Sequence, residues 1–489
     1  MSHYQKNFLN YRTNRSTDPK STCYNLKNYI DNLAQDDNFK FITSNLGNIF
    51  DIPDQVIEFD LKKRLFFSFH FTKGQFSKRF ELSYLIKDLI NLITFCFWTL
   101  IFSKKLKIKN NVDIIFDDLD NFNHQNFFKK LSNKFDSFLF IIKKKTSKKN
   151  FLNFSRFSIY NSNIARKNFI SLVSFICSLL IISFKNKINF LFLINALIFK
   201  IYKYDKIFSE NKADFLFSNK FYTTSSIKNF IFKKKGGIIS ACTQKNILEF
   251  SISFYINVDI LFSLGEKTTN FIKELGAEIN DIVPVGCIVL ENNYLDIYHK
   301  EKLSPLKKID ILNIGLNYAH SYDRMFIDDK HFRNYYRHIY WLKKISNKYP
   351  FLNIIIKHHD NHQGDKLENK ILKNSNVKII VKSDNLYGSY GYLENSRLIT
   401  SFASTMILET LSLKMNSIFL DPFKRNLSFF ESLSPCDEIR VKSYSEFEGL
   451  VQKVVIEAND LSFIKGNLYC KNSSNTSKEI FDFLKKYKH

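Results

Sequence analysis

The sequence RLITSFASTMILETLSLKMNSIFLDP, residues 397–422, decides the fold that we expect for this chain. Two apolar runs within it, 397–402 and 417–420, have the length and composition of buried strands. Between them, residues 405–413 follow a cluster of small hydroxyl residues and are typical of a helix. A strand, a helix and a second strand joined by short loops predict a parallel sheet with helices on its faces.

The same alternation occurs in two blocks of the chain. In the block around this stretch, the pattern predicts strands at 309–315, 352–357 and 377–381 and helices at 331–349 and 385–396. The earlier block predicts five strands and two helices. Its strands are 112–116, 214–218, 238–241, 258–263 and 282–285, and its helices are 224–232 and 268–275.

These blocks predict an α/β protein with two doubly wound, Rossmann-like domains, separated by a break near residues 291–305. A length of 489 residues accommodates two to three domains with a core in each. We assign residues 1–295 to the first domain and 305–489 to the second. A ligand cleft is expected between them, at the carboxyl ends of the strands.

The net charge of +25, from 72 Lys and Arg against 47 Asp and Glu, suggests an anionic partner. Only 12 of the basic residues are Arg, and they are scattered along the chain. Recognition of bases and phosphates favours the forked Arg guanidinium. Codons rich in A and T specify Lys, Asn, Ile and Phe, and all four residues are abundant in this chain. The excess of Lys can therefore reflect the base composition of the gene. The composition therefore predicts no nucleic-acid partner.

The seven cysteines form no C-x-x-C pair and no zinc-ligand spacing. Dispersed cysteines with apolar neighbours indicate free thiols in a reducing compartment. The first 18 residues lack the apolar core of a signal peptide. The sequence thus predicts a cytoplasmic protein without a metal site.

Three apolar segments, 89–102, 169–184 and 190–199, bear on membrane contact. Each is shorter than the roughly 20 residues of a spanning helix. We favour buried core helices and keep two alternatives, peripheral docking on the inner face of the plasma membrane and a transmembrane span. In the docking alternative, lysines meet anionic lipid headgroups, namely Lys104, Lys105, Lys107, Lys185 and Lys187.

The first candidate site is the hydroxyl-rich turn from Ser401 to Thr405. It joins a predicted strand to a predicted helix, whose free N–H groups and dipole favour an anion. The hydroxyls of Ser404 and Thr405 can donate to a phosphate, and Glu409 lies one turn further along, where it could accept ribose hydroxyls. The alternative is an ordinary helix cap, since Ser and Thr favour that position.

A second candidate site is Lys357-His358-His359-Asp360, at the end of a predicted strand. A Lys and two His there can neutralise a diphosphate or donate to a nucleotide leaving group. The spacing matches no metal motif that we can defend. The alternative is a solvated loop.

Two further clusters follow predicted strands of the first block. Gly265 ends one strand and predicts a tight turn that faces the cleft. Asp117 and Asp118 end another and could supply a base for an acceptor hydroxyl, although acidic loop residues are commonly just solvated. The sequence contains no G-x-G-x-x-G, P-loop or G-x-S-x-G motif.

Taken in order, four segments resemble the GT-B glycosyltransferases. They are FSLGEKTTNFIKELG at 262–276, VPVG at 283–286, IIKHHD at 355–360 and SFASTMILETLSLKMNSIFLDP at 401–422. The similarity is to the bacterial capsule and surface-carbohydrate group, whose wider relatives include polysialyltransferases and CDP-glycerol glycerophosphotransferases. It covers about residues 210–450, whereas 1–200 correspond only in position to an acceptor domain.

This resemblance implies a GT-B arrangement and a nucleotide-sugar donor as co-substrate, with no covalent cofactor and no metal. Carried over, His358 or His359 takes a donor-side His role, Ser404 and Thr405 hold the phosphate, and Glu409 binds the ribose. The implied acceptor is a polysaccharide or a lipid-linked molecule.

The chain departs from the family pattern in two places. Asp360 follows His359 where relatives carry Pro, so the exact His is not fixed. Residues 243–246, TQKN, stand where relatives often have Gln-His-Gly, so a His is missing and no catalytic base is assigned. We therefore expect a glycosyltransferase of capsule or lipopolysaccharide assembly, with two alternatives, a nucleotide-sugar epimerase and a non-catalytic scaffold for polysaccharide assembly.

Overall fold

Two parallel β-sheets organise the structure, which is a computed structural model. It describes residues 19–70, 80–101, 110–119, 128–142, 151–153, 167–219, 221–244, 254–267, 272, 276–293, 308–315, 329–359, 365–382, 388–402, 404–422, 437–461 and 466–488.

The first sheet has seven strands in the order β3-β2-β1-β4-β5-β6-β7, and every neighbouring pair is parallel. Its strands are β1 Asn110–Leu119, β2 Phe138–Ile142, β3 Phe151–Asn153, β4 Asn211–Ser218, β5 Ile239–Thr243, β6 Asn257–Ser263 and β7 Glu278–Pro284. The order reverses between β1 and β4, which makes that gap the topological switch point.

The second sheet has six parallel strands in the order β10-β9-β8-β11-β12-β13. Its strands are β8 Ile309–Ile314, β9 Ile354–Lys357, β10 Lys378–Ile380, β11 Ser396–Ser401, β12 Ser417–Leu420 and β13 Arg440–Val441. The second sheet has the order 3-2-1-4-5-6 of Rossmann folds, and the first has the same order with a seventh strand added beside the sixth. The prediction of an α/β protein with two doubly wound domains is confirmed.

Fourteen α-helices flank the sheets within the described residues. They are α1 Pro19–Ala34, α2 Asp37–Phe50, α3 Asp54–His70, α4 Leu85–Ile101, α5 Lys129–Ser132, α6 Phe169–Asn186, α7 Leu191–Glu210, α8 Ser226–Lys234, α9 Ile288–Asn293, α10 Asp329–Lys348, α11 Lys366–Leu372, α12 Met406–Ser412, α13 Tyr444–Val451 and α14 Thr476–Lys485.

The apolar helices of the first half form one core with the first sheet. Helix α7 is buried at 13 of its 20 residues, so the apolar segment 190–199 is a core helix, as we favoured. Phe199 of α7 packs on Phe95 of α4 with ring centroids 3.9 Å apart.

Helices α4 and α6 bury one face and expose another that is also apolar. Ile86 and Phe97 of α4 are 68% and 60% exposed, and Ile170 and Ile181 of α6 are 82% and 70% exposed. Among the described residues, α6 alone is long and apolar enough to cross a membrane. Length and composition are the only grounds for this, and a core helix of a soluble protein passes the same test.

The structure corrects one predicted element and adds several that were not predicted. A helix over 385–396 is wrong, because the described part contains a 3-10 turn, Gly388–Tyr392, and β11 begins at Ser396. The two glycines of that turn disfavour a longer helix. The strands that were not predicted are β2, β3 and β13, and the helices that were not predicted are α1, α2, α3, α5, α9, α11, α13 and α14. The helix predicted over 268–275 lies outside the described residues, apart from Ile272.

Helix α14 returns to the first sheet at the end of the described chain. Its residues Ile480 and Leu484 join the core that contains Phe116 of β1 and Phe217 of β4. We predicted that residues 305–489 form the second domain, so the packing of α14 on the first sheet was not expected. The division of the chain near 291–305 remains a prediction.

Candidate functional site

The carboxyl ends of three neighbouring strands meet at one level of the second sheet. Ile314 of β8 lies opposite Lys357 of β9 on one side and Ser401 of β11 on the other. The strand order reverses between β8 and β11, so this edge is the switch point of the sheet. The structure thus places Lys357, His358 and Ser401 at the carboxyl ends of β9 and β11, on either side of β8.

His358 lies in a buried network behind this edge. Its Nε2 is 2.9 Å from Oε2 of Glu368, and the Tyr335 hydroxyl donates to the other carboxylate oxygen at 2.8 Å. His358 is fully buried, whereas the neighbouring His359 is exposed. Of the two predicted histidines, His359 is therefore the one that a ligand can reach in this structure.

Gly315, which the sequence analysis did not single out, gives His358 its space. A Cβ at this position would lie 2.2 Å from Nδ1 of His358. Only a residue without a side chain fits there. The available signal was a glycine at the end of an apolar strand.

Lys357 reaches the predicted edge, but its ammonium group is used within the protein. Nζ donates to the carbonyl oxygens of His358 at 2.6 Å and Val381 at 2.8 Å, and the residue is 1% exposed. Lys357 thereby ties the end of β9 to the segment after β10. Its predicted phosphate contact would require the ammonium group to leave these carbonyls.

The hydroxyl-rich turn divides into a buried and an accessible part. The Ser401 hydroxyl donates to the carbonyl of Ile314 at 2.8 Å and is buried, so it joins β11 to β8. Ser404 and Thr405 are half-buried. Ser404 Oγ accepts from the N–H of Met406 at 3.3 Å. The following helix α12 has only seven residues, so the hydroxyl groups offer more to a ligand than its dipole.

Glu409 is buried and already has partners. The Tyr390 hydroxyl donates to its carboxylate at 2.6 Å. Burial raises the pKa of Glu409, and hydrogen bonds from Tyr390 and the Cys287 thiol offset part of this rise. A ribose contact by Glu409 stays a prediction, and it would require one of these partners to move.

A second buried network lies within the second sheet and was missed by sequence reasoning. Oδ1 of Asn313 accepts from the Thr400 hydroxyl at 2.9 Å and is 2.8 Å from Nε2 of His338. Burial lowers the pKa of His338 to about 3, so the imidazole is neutral at pH 7. No sequence motif marks these three residues, because they come from two strands and a distant helix.

Asp117 occupies the switch point of the first sheet. It lies opposite Ser218 of β4 and is 1% exposed. Its Oδ2 accepts from the Tyr204 hydroxyl at 2.7 Å and pairs with Lys228 Nζ at 3.2 Å. A role as catalytic base would require this carboxylate to leave a buried ion pair. Asp118 follows in β1, but its side chain lies outside the described residues.

Gly265 lies against the C-terminal segment of the chain. A Cβ there would lie 2.6 Å from the main chain of Leu468 and Tyr469. The glycine thus permits the C-terminal segment to cross close to the end of β6, and a ligand contact at Gly265 stays a prediction. Nearby, buried Gln244 accepts from the N–H of Leu264 at 3.0 Å and joins the ends of β5 and β6.

No protein-family model matches the chain, and no curated protein sequence matches it significantly. Among solved structures, UDP-GlcNAc 2-epimerase from Neisseria meningitidis bound to UDP-GlcNAc is 13% identical, with a TM-score of 0.47 over 77% of this chain and 100% of that one. UDP-GlcNAc 2-epimerase from Methanocaldococcus jannaschii is 15% identical, with the same score and coverage. The wall teichoic acid polymerase TagF is 12% identical, with a TM-score of 0.44 over 82% and 96%. Similarities this low assign no family, and the fold and site described above rest on the chain's own topology and contacts.

Proposed function

We propose that the protein is a glycosyltransferase that moves a sugar from a nucleotide-activated donor to a surface polysaccharide or a lipid-linked acceptor, in capsule or lipopolysaccharide assembly. The observation that carries the proposal is the switch point of the second sheet. There Gly315, His359 and the turn at Ser404 and Thr405 follow the carboxyl ends of three adjacent strands. Open α/β sheets bind their ligands at such a crevice.

The groups at this edge suit a nucleotide diphosphate as leaving group. The Ser404 and Thr405 hydroxyls can donate to phosphate oxygens, and exposed His359 can donate to, or when protonated neutralise, the charge that develops as the glycosidic bond breaks. Buried His358 holds the end of β9 through Glu368. Rigid placement of this kind fixes the donor groups before the reaction.

A thermal-shift panel of CMP, CDP, UDP, GDP and dTDP tests the donor site. A nucleotide at about 100 times its dissociation constant should stabilise the wild type by about 2.7 kcal/mol. The double variant Ser404→Ala/Thr405→Ala should lose that shift while its unfolding without ligand stays close to that of the wild type. Ser445→Ala, which removes an exposed hydroxyl from α13, is the matched control. An undiminished shift in the double variant would refute the site.

A nucleotide-sugar epimerase is the second candidate, because the donor side of the site would serve it equally well. An epimerase acts on the free nucleotide sugar, whereas a transferase needs an acceptor hydroxyl. Incubation of the protein with the nucleotide sugar selected by the panel, without acceptor, separates the two. Conversion to a second nucleotide sugar would favour the epimerase. Binding without turnover, with or without acceptor, would favour a scaffold.

The exposed apolar faces of α4 and α6 support peripheral contact with a membrane that carries the acceptor. Ile86, Ile90, Ile93 and Phe97 follow one another at helical spacing along one side of α4. Lys185 and Lys187 are exposed at the end of α6, where anionic headgroups would meet them. Cell fractionation in low salt tests this contact, and protein that remains in the supernatant without detergent would contradict it.

A further inference from the structure

The outer face of helices α10 and α11 and of the edge strand β10 is strongly basic. In the described residues 333–359 and 365–382, eleven are Lys or Arg and two are Asp or Glu, against 72 and 47 in the whole chain. Both acidic residues, Asp365 and Glu368, are buried. The described residues of this face therefore expose no carboxylate.

Helix α10 presents its exposed cations in one stripe. The exposed cations are Arg333, Arg337, Lys344 and Lys348. Their spacing of four, seven and four residues places them on the same side of a helix. At a rise of about 1.5 Å per residue, the stripe is about 22 Å long. Among the described residues, Lys348 alone of the four pairs with a carboxylate, that of Glu448.

Helix α11 and strand β10 continue the basic face. Their exposed cations, on or just after each element, are Lys366, Lys370, Lys373, Lys378 and Lys382. The Tyr336 hydroxyl donates to Asp365 at 2.7 Å, and Lys343 Nζ donates to the Lys373 carbonyl at 3.0 Å, so α10 and α11 lie side by side. Right-handed crossovers put both helices on the same face of the sheet. Charges from three elements thus form one continuous surface.

The crowding of like charges on this face is unfavourable for the folded chain alone. Like charges one helical turn apart repel each other, as in the pair Arg333 and Arg337 and in the pair Lys366 and Lys370. A/T-rich codons can account for Lys in place of Arg. They do not account for the lack of an exposed carboxylate, since Asp and Glu are common in the whole chain. An anionic partner would relieve the repulsion.

Two aromatic rings are exposed on or next to this face. Tyr340 lies within the stripe of α10 and is 43% exposed, with the Arg337 guanidinium 5.6 Å from the centre of its ring. Phe351, just beyond α10, is 71% exposed. Exposed aromatic rings can pack on the apolar faces of sugar rings, while cations pair with acidic groups of the same sugars.

The basic face begins beside the proposed donor site. Tyr335 of α10 and His358, which follows β9, both contact the carboxylate of Glu368 on α11. The first turns of both helices therefore lie near the end of β9, where His359 is exposed. From there the stripe of α10 leads away to Lys348, at the opposite end of the helix.

We propose that this basic face holds the growing product, a polysaccharide that carries a negative charge on each repeat. The proposal rests on the function proposed above and adds the charge of the polysaccharide to it. Seven of the nine exposed cations are Lys, whereas recognition of nucleic acids favours Arg. The exposed apolar stripe of α4 has no counterpart among the described residues of α10 and α11, which disfavours a lipid surface.

Binding is measured by fluorescence anisotropy with a labelled oligomer of galacturonic acid, at about 50 and 300 mM NaCl. The wild type should bind this probe more weakly at the higher salt, because screening shortens the reach of surface charges. The triple variant Arg337→Gln/Lys344→Gln/Lys370→Gln should weaken binding at least about tenfold. A control variant removes the same charge from exposed positions of α5, β4 and α14 and should bind like the wild type. Its changes are Lys129→Gln, Lys212→Gln and Lys478→Gln.

Equal affinity of the two triple variants, or no binding by folded wild type at the lower salt, overturns the proposal. Tighter binding of single-stranded oligo(dT) or of phosphatidylglycerol vesicles, lost only in the first triple variant, also overturns it and identifies a nucleic acid or a lipid surface instead. The nucleotide panel is an independent measurement. A nucleotide shift without binding of the oligomer removes only this inference, whereas binding of the oligomer without a nucleotide shift removes the proposed donor site.

Discussion

Replacing Gly315 by Ala tests how the switch point of the second sheet is built. The new Cβ would lie 2.2 Å from Nδ1 and 2.7 Å from Cε1 of His358, whereas ordinary contacts begin at 3.4 Å. The imidazole would have to move by about 1 Å. Its full burial and its 2.9 Å contact with Glu368 resist that movement.

The expected cost has two parts. Overpacking of a filled site costs about 1–3 kcal/mol, and a buried hydrogen bond that is strained or lost adds about 1–3 kcal/mol. A shift of the imidazole ring relieves the overpacking but strains the hydrogen bond, so the two costs do not add in full. We therefore expect Gly315→Ala to lower the free energy of unfolding by about 2–4 kcal/mol. His359 follows in the chain, so nucleotide binding should weaken as well.

Urea unfolding followed by circular dichroism measures this loss, with Gly449→Ala as the matched control. Gly449 lies in α13 with nothing within 4 Å of an added Cβ, so Ala there should stabilise by about 0.5–1 kcal/mol. Adding His358→Ala to Gly315→Ala should cost less than the sum of the single changes. If Gly315→Ala unfolds at the same urea concentration as the wild type, His358 does not occupy the described position and our reasoning fails.

Buried ionisable groups give three further expectations. Burial lowers the pKa of His338 to about 3, well below the unfolded value of about 6.5. The folded protein should therefore lose stability as the pH falls below 6.5, by about 2 kcal/mol at pH 5. His338→Gln should flatten this decline in the urea midpoint, and an unchanged pH dependence would contradict the expectation. Asp60→Asn should lower the free energy of unfolding in urea by about 3–5 kcal/mol, because it breaks the ion pair of the buried Asp60 carboxylate with Lys200. Asp51→Asn breaks an exposed ion pair with Lys234 and should leave the urea midpoint unchanged. Equal effects of the two variants would contradict this expectation. Burial raises the pKa of Glu409 above the unfolded value of about 4.3. The stability that comes from its protonated form is therefore present below pH 4.3 and is lost as the pH rises through the folded pKa. Glu409→Gln should stabilise the protein more at pH 8 than at pH 5, and an effect that does not depend on pH would rule out a raised pKa.

The edge of the second sheet could be predicted because its signals are local. Three apolar runs of the sequence end at Gly315, His358 and Ser401, and each of these positions marks the end of a buried strand. Parallel strands then bring those ends to one level without further information. The strands between 309 and 420 could therefore be predicted from the sequence, although the helix predicted at 385–396 is wrong.

Contacts between distant segments could not be predicted in this way. Gly265 has the appearance of a ligand-facing turn, and only the main chain of Leu468 and Tyr469 reveals its use. Glu409 is placed correctly on its helix, but Tyr390 and Cys287, from separate segments, bury it. Strand β2 was hidden by composition, since Phe138–Ile142 is one of many short Phe- and Ile-rich runs in the first half of the chain.

The return of α14 to the first sheet has a consequence for synthesis on the ribosome. The last strand of that sheet ends at Pro284, and α14 begins at Thr476, about 190 residues later. At about 5–20 residues per second, translation takes about 10–40 s to cover that interval. Throughout it, the nascent chain carries a sheet whose Phe116 and Phe217 lack the cover of Ile480 and Leu484. The second domain is thus made while the first is unfinished, and a product that stops short of α14 would present aromatic surface to chaperones and proteases.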